Sequence, residues 1–203
     1  MLMGPGARRR GFTLIELLVT ISVFAFLMLL AAPSFTSWIQ DAQVRTAAES
    51  LQNGLRVAQA EAARRHRQVA MVLTNGAPNQ GVTAQANGKN WFVTVIPNTT
   101  AGESYTQTSP SLMVQSGTLG AVAPNAQLTG QAAVCFNSLG RLTTLNDGTY
   151  NCTIPPSGTV TYNVTNSRST TARALNVTVS LGGSVRVCDP SKSLSQNSPD
   201  ACS

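Results

Sequence analysis

The chain has 203 residues and a formal net charge of +6, and only 11% of its residues are charged. Its length suits one domain with an appendage. Because Arg8, Arg9 and Arg10 precede Phe12, the remainder has 11 basic and 8 acidic residues, a net +3 that gives no argument by itself for a nucleic-acid partner.

The first element is an apolar run from Phe12 to Ala32, directly behind the three arginines. A helix over these 21 residues, at about 1.5 Å per residue, crosses a hydrocarbon layer of about 30 Å. The arginines predict a cytoplasmic N-terminus. The small residues of "LLAAPSF" leave conventional signal-peptide cleavage open as an alternative, but the run is long enough to remain as an anchor.

Glu16 is the single charged residue inside this run. An acid in hydrocarbon costs roughly 2.5–3.5 kcal/mol, and such residues usually have a partner. One interpretation places the side chain at the cytoplasmic interface, one turn from the helix start. The other pairs it with a cation. No Lys or Arg lies between Phe12 and Pro33, so that pairing needs an α-amino group created by a cut near Phe12.

The segment "RRRGFTLIELLVTISVFAFLMLLAAPSF" resembles the class III signal of type IV pilins and type II secretion pseudopilins. The resemblance implies that a prepilin peptidase cuts between Gly11 and Phe12 and methylates the new amine. It implies that Glu16 meets the amine of a neighbouring subunit during assembly, and that Pro33 lies where the family's long helix commonly kinks. The implied partners are other pilins or pseudopilins and an inner-membrane assembly platform.

The helical pattern continues beyond Pro33, interrupted only by Gly54, which costs about 1 kcal/mol in a helix interior. Its apolar positions mostly recur every three or four residues: Phe35, Trp38, Ile39, Ala42, Leu51, Leu55, Ala58 and Ala62. The pattern predicts one helix from Phe12 to about Arg67, ending in basic residues that complement its dipole. We expect the first half to protrude as anchor and filament core, and the second half to pack on a globular head.

From residue 68 the pattern changes to short β-branched segments separated by turn residues. The predicted strands are "QVAMVLTN", "WFVTVI", "AAVCFN", "GTVTYNV", "RALNVTVS" and "SVRVC". The predicted fold is α+β, with a long helix on an antiparallel sheet. The segments are a leader (1–11), a transmembrane helix (12–33), an amphipathic helix (34–67) and a periplasmic head (68–203). The polar loops 75–90 and 97–111 are interpreted as surface insertions without an assigned role.

The cysteines lie in the last third of the chain and are Cys135, Cys152, Cys188 and Cys202. They contain no C-x-x-C pair, and the single histidine, His66, is distant, so we expect neither a zinc site nor any other metal or cofactor. An even count in an exported domain indicates two disulfides, for which three pairings are open. We favour the sequence neighbours, 135 with 152 and 188 with 202, because each pair closes a short polar loop.

A second resemblance concerns the head. The stretches "LRVAQAEAARRHRQVAMVL", "VCFNSLGRL" and "LNVTVSLGGSVRVC" are similar to H-type pseudopilins and FimT/FimU-like minor pilins. The type IV pilin-like fold is implied. Some FimT-like members bind DNA through a Gly-Arg-x-Arg segment, and the matching place reads Gly183-Ser184-Val185-Arg186, with one arginine replaced. Further cations that could contact phosphates are Arg141, Arg168, Arg173 and Lys192.

The sequence disfavours an enzyme. His66 lies in the basic "RRHR" segment, the acids are scattered, and no nucleophile, base and orienter occur together. The predicted function is a minor pilin, a priming or tip subunit of a type IV pilus that is anchored in a bacterial inner membrane. The alternatives are an H-type pseudopilin of type II secretion and a minor pilin that binds DNA for uptake.

Overall fold

The computed structural model describes residues 12–106, 111–195 and 198–202, without the side chains of residues 29–34. The chain divides between Trp38 and Ile39 into two compact units. The first contains the N-terminal part of the helix. The second contains the rest of the helix and all of the strands.

The long helix α1 runs over Leu14–Arg65 and continues through Pro33. At its C-terminal end His66 adopts the left-handed conformation, with φ 53°. The Arg67 backbone N–H then donates to the Ala62 carbonyl oxygen at 3.2 Å. This is the Schellman arrangement, with a histidine at the position that glycine usually occupies. His66 is therefore part of a helix terminus.

In the described part of α1, no stretch is both long and apolar enough to cross a membrane. The predicted span includes residues 29–34, whose side chains lie outside the description.

The head contains eleven strands in the described residues, all paired antiparallel within three sheets. The strands are β1 Val69–Thr74, β2 Asn90–Val95, β3 Met113–Thr118, β4 Ala126–Thr129, β5 Ala133–Phe136, β6 Leu142–Thr143, β7 Leu145–Asn146, β8 Asn151–Cys152, β9 Thr159–Asn166, β10 Leu175–Ser180 and β11 Val185–Cys188. A short helix α2 spans Leu119–Val122, and a 3₁₀ turn spans Thr99–Ala101. The first sheet has the order β3-β2-β1-β5-β6, the second has β11-β10-β9-β4, and β7 pairs with β8.

The main core is shared by α1 and both larger sheets. The helix contributes small and branched residues at helical spacing: Val44, Ala47, Ala48, Leu51, Leu55, Ala58 and Ala62. Trp91 of β2 lies between two glycines, because a Cβ on Gly54 would come within 2.8 Å of its ring and one on Gly117 within 2.5 Å. Its indole N–H donates to Ser50 Oγ at 3.1 Å. Gly54 therefore makes room for the largest ring that contacts the helix.

A second core covers the opposite face of the first sheet. Strand β1 is buried along its whole length because its alternate side chains point into the two cores. Val82 and Ala84 of loop 75–90 pack into the second core. In the same loop, Gln80 Oε1 accepts hydrogen bonds from the backbone N–H groups of residues 112 and 113. The loop is therefore exposed over most of its length, as expected of a surface insertion, and it also covers part of a sheet face.

Burial along α1 begins later than its apolar pattern does. Phe35 and Trp38 are 61% and 65% exposed, Ala42 is also exposed, and the buried positions begin at Val44. Periodicity alone therefore does not show which apolar positions of the helix are buried.

Candidate assembly site

The N-terminal part of α1 carries apolar side chains on every face, and those that the structure describes are exposed. The large apolar side chains of residues 12–28 range from 53% exposed at Val19 to 83% at Phe12. The hydroxyl groups of Thr20 and Ser22 bond back to the helix, to the carbonyl oxygens of Leu17 and Leu18. A helix that is apolar all round needs an apolar environment. This segment, residues 12–28, is built to be covered by lipid or by other apolar helices.

Glu16 lies in the first turn of α1 and is exposed. Its backbone N–H donates to Thr13 Oγ1 at 3.3 Å, which is half of the capping box that Thr-x-x-Glu sequences form. A carboxylate at a helix N-terminus is also favoured by the helix dipole. The fold therefore holds Glu16 one turn from Phe12, where an amine created by cleavage would begin the chain.

The other predicted processing and assembly residues lie partly outside the description. Gly11 belongs to the residues 1–11 that are not described, whereas Phe12 stands just before the helix and is the most exposed apolar residue of the segment. Pro33 lies within α1, but its side chain is not described.

Two disulfides link Cys135 to Cys152 and Cys188 to Cys202, with Cα–Cα distances of 5.7 and 5.0 Å. The first ties β8 to β5 and lies in the second core. The second ties the C-terminal segment to the end of β11. The first therefore links the two-stranded sheet to the first sheet, and the second holds the C-terminal segment against β11.

Arg173 is the centre of an ion-pair cluster in the head. Its Nε bonds to Asp189 Oδ2 at 2.6 Å and its Nη2 to Asp200 Oδ2 at 2.8 Å, and Lys192 Nζ bonds to Asp200 Oδ2 at 2.6 Å. The Arg173 backbone N–H donates to Asp41 Oδ1 of the helix at 2.9 Å. These acids look scattered in the sequence, and only the fold brings them together.

The electrostatics of this cluster follow from its contacts. Burial by itself would raise the pKa of Asp189, but hydrogen bonds from Ser191 and the ion pair with Arg173 outweigh it, so the pKa is lowered. The hydrogen bond from Lys192 is the main reason that the pKa of Asp200 is also lowered. Two cations and two carboxylates balance, so this cluster offers no net positive charge to a phosphate.

The remaining candidate DNA contacts lie apart from that cluster. Arg168 Nε donates to Asn125 Oδ1 at 3.2 Å. Arg141 is exposed in the turn between β5 and β6, where its backbone N–H donates to Asn137 Oδ1. Arg186 is exposed on β11 and lines a polar groove of about 340 Å³ together with Thr161, Asn176 and Thr178. Of the five candidate cations, Arg173 and Lys192 are thus the two that share an ion-pair cluster.

The two head segments that resemble pilins meet at their turns. Gly140 and Gly183 are both buried and both have positive φ, 71° and 89°. A Cβ on Gly183 would overlap the carbonyl oxygen of Gly140 and approach Gln59 Nε2 of the helix to 2.6 Å. The Gly183 position is therefore explained by close backbone packing between the two sheets and α1. No group of His, Cys, Asp and Glu suited to a metal occurs in the described residues.

Comparisons with known proteins decide the family. The sequence profile described as "Type II transport protein GspH" matches residues 47–183, and that of the "Prokaryotic N-terminal methylation motif" matches residues 6–32. The chain belongs to the GspH family. This is a family of minor pilins and H-type pseudopilins, so the predicted family is confirmed.

Two solved structures are similar to the chain. The type IV minor pilin FimU of Pseudomonas aeruginosa is 15% identical with a TM-score of 0.50, covering 80% of this chain and 96% of FimU. The minor pseudopilin EpsH from the Type 2 Secretion System of Vibrio cholerae is 13% identical with a TM-score of 0.47, covering 74% of this chain and 99% of EpsH. No curated protein sequence matches the chain. The likeness to FimU confirms the predicted pilin-like fold, a long helix with an antiparallel β head.

The family fixes the general role of the chain. GspH-family proteins are structural pilins rather than known enzymes, and they assemble with other pilins into filaments. The methylation motif implies processing by a prepilin peptidase, and with the family it implies a membrane-anchored filament subunit. The exposed apolar segment 12–28 is the part of this subunit that must be shielded from water, both in a membrane and in a filament.

Proposed function

We propose that this chain is a minor pilin that acts as a priming or tip subunit of a type IV pilus. The observation that carries the proposal is the first part of α1, which is exposed and apolar on all faces and holds one charge, Glu16, in its first turn. An isolated soluble domain would not expose such an apolar segment to water. It fits a subunit that waits in the inner membrane and then packs among other helices.

The proposed topology follows from charge and length. Arg8, Arg9 and Arg10 keep the N-terminus in the cytoplasm, and the head with its two disulfides lies in the oxidising periplasm. Prepilin peptidase removes the leader between Gly11 and Phe12 and methylates the new amine. Assembly machinery then moves the apolar helix from lipid into the filament.

Glu16 gives this transfer its specificity. In an apolar filament core, an unpaired carboxylate is penalised, and a charge pair about 4 Å apart is worth up to roughly 4 kcal/mol at an effective dielectric of 20. The amine of a neighbour's Phe12 is a suitable partner because it is created only by correct processing. Pro33 is proposed to bend the helix where the filament core gives way to the heads.

Replacing Glu16 by Ala tests this assignment. The variant should be cleaved and should fractionate with membranes like the wild type, but its amount in sheared filaments should fall by about tenfold or more, as loss of a pair of this strength implies. Glu49→Ala, which removes an exposed acid further along the same helix, is the matched control and should assemble normally. Equal incorporation of the Glu16 variant would remove the basis for the pairing.

An H-type pseudopilin of type II secretion is the second candidate, and the description of the matching profile favours it. We place the pilus role first because of the paired C-terminal cysteines and the long polar loops. A deletion strain separates the two. Lost twitching motility with normal secretion supports the pilus role, and lost secretion of enzymes with normal motility supports the pseudopilin.

DNA binding has weaker support. Arg173 and Lys192 are neutralised by Asp189 and Asp200, and Gly183 has a packing role. On β11, Arg186 is the remaining candidate for a DNA contact. A gel-shift experiment with DNA and the head at low salt tests this role. If the head shifts the DNA, Arg186→Ala should abolish that shift.

A further inference from the structure

An exposed aromatic pair lies on α1 beyond the apolar anchor. The rings of Phe35 and Trp38 stack with centroids 6.1 Å apart and an angle of 27° between their planes. They are 61% and 65% exposed, and Ile39 beside them is 37% exposed. Residues three and four apart share one helix face, so these three form a single apolar patch. The two rings are among the largest apolar side chains of the chain.

The surroundings of the pair differ from those of the anchor. Thr36 and Ser37 stand between the two aromatics, whereas residues 23–32 contain no polar side chain. Gln40 and Asp41, which follow within one turn, already have partners in the head: the Gln40 carbonyl oxygen accepts from Asn166 Nδ2, and Asp41 accepts from the Arg173 backbone. The pair thus occupies a short zone between a purely apolar helix and a hydrogen-bonded head.

The spacing from Glu16 matches the thickness of a bilayer. Trp38 is 22 residues after Glu16, a distance of about 33 Å along a helix with about 1.5 Å rise per residue. The hydrocarbon core of a bilayer is about 30 Å thick. If Glu16 lies at the cytoplasmic interface, Trp38 reaches the opposite interface. Interfacial Trp is favoured because the ring has an apolar body and its N–H can bond to water and headgroups.

We propose that the Phe35–Trp38 pair is a membrane-interface anchor. It binds the headgroup region of the outer leaflet of the inner membrane and fixes the depth at which the unassembled subunit waits. This inference rests on the membrane-anchored state in the proposed function, and it adds a lipid partner for a surface outside the apolar segment 12–28. The pair leaves the lipid when the helix enters a filament, so it positions the subunit only before assembly.

Depth-dependent quenching of Trp38 fluorescence tests the proposal directly. The chain has two tryptophans, and the other, Trp91, is 2% exposed. The full chain carrying Trp91→Phe is reconstituted into vesicles of phosphatidylethanolamine and phosphatidylglycerol that carry a nitroxide at the headgroup, at acyl carbon 5 or at acyl carbon 12. Because Trp91→Phe loses a well-packed ring, a difference measurement between the wild-type chain and Trp38→Phe serves where that variant does not fold.

The expected result is that quenching by the headgroup and carbon-5 labels exceeds that by carbon 12 at least twofold, at all protein-to-lipid ratios. Strongest quenching at carbon 12, or no quenching by any label in chains that float with the vesicles, overturns the proposal alone. An emission maximum that shifts to the blue as protein-to-lipid ratio rises also overturns it, because a neighbouring helix then covers the pair. Failure of the chain to float overturns the membrane-anchored state itself.

A pair of matched variants tests whether Phe35 itself holds Trp38 at the interface, or whether any apolar side chain would do so. Phe35→Leu keeps an apolar side chain but removes the stacking partner, and it should lower the ratio of shallow to deep quenching toward one. Phe24→Leu makes the same change in the middle of the apolar segment and should leave the ratio unchanged. Equal ratios for the two variants would show that stacking with Phe35 does not hold Trp38 at the interface.

Discussion

Replacing Gly183 by Ala should destabilise the head strongly. This residue has φ 89° and is buried where the turn between β10 and β11 meets the turn that contains Gly140. An added Cβ would overlap the Gly140 carbonyl oxygen, which is a backbone atom and cannot rotate away. It would also come within 2.6 Å of Gln59 Nε2 on the helix, so the turn would have to move as a unit.

The expected magnitude comes from two effects. A left-handed conformation costs a non-glycine residue about 1–2 kcal/mol. Forcing an extra carbon into a packed site costs about 1–3 kcal/mol more. The sum of about 2–5 kcal/mol is a large part of the 5–15 kcal/mol that typically stabilises a domain. For a domain of this size it corresponds to a fall in Tm of roughly 5–20 °C.

Thermal unfolding of a head fragment that begins at Ile39, followed by circular dichroism, measures the effect. Gly182→Ala is the matched control, because Gly182 is exposed and its nearest neighbour atom, Ser180 Oγ, would lie 3.9 Å from the new carbon. The control should unfold within about 2 °C of the wild type, since exposed substitutions usually change stability by less than about 0.5 kcal/mol. Equal Tm values for the two variants would refute the close-packing explanation.

Three further changes should alter stability in predictable directions. Tyr162→Phe should stabilise the head by about 1–3 kcal/mol, because the buried Tyr162 hydroxyl has no hydrogen-bond partner among the described residues. His66→Gly should add about 1 kcal/mol by relieving the positive φ at the end of α1. The head should lose stability as the pH falls below about 4, because the pKa values of Glu103, Asp189 and Asp200 are lowered and hydrogen bonds from Arg64 lower that of Glu61 to about 2.

The sign of the acid effect follows from linkage: carboxyls with depressed pKa values stabilise the fold above their unfolded pKa and cease to do so as they are protonated. Chemical denaturation of each variant and of the wild type across pH checks all three. A lower unfolding free energy for Tyr162→Phe would mean that the hydroxyl has a bound water as partner. No gain for His66→Gly would mean that the left-handed position carries no strain. Constant stability between about pH 5 and pH 2 would contradict the ion-pair account.

The N-terminal methylation motif could be recognised in the sequence because its signal is local. Its residues follow one another along the chain, and an apolar run shows its length directly. The favoured pairing of the cysteines is also the one in the structure, because each pair closes a short loop in the β-rich head.

The middle of the head could not be predicted. Strands β3 and β4 have the sequences "MVQSGT" and "AQLT", which are poor in β-branched residues, and they form because neighbouring strands offer open edges. The second core was missed because its cover, loop 75–90, is polar and contributes only a few apolar side chains.

Contacts between distant residues were likewise hidden. From the sequence, Gly54 is expected only to weaken the helix. The structure shows that the Trp91 ring packs against it. Asp189 and Asp200 read as isolated acids until the turn after β11 and the disulfide bring both to Arg173. The sequence put Phe35 and Trp38 on the apolar stripe of the helix, but periodicity alone does not say which partner covers a helix face.

Mass spectrometry of the mature protein in sheared filaments tests the central claim most directly. The account predicts that the chain is present in the filament fraction with N-methylated Phe12 as its first residue, and that Gly11→Val leaves a heavier precursor that is absent from filaments. A chain that reaches filaments with residues 1–11 still attached would contradict the account, and so would a correctly cleaved chain that never enters them.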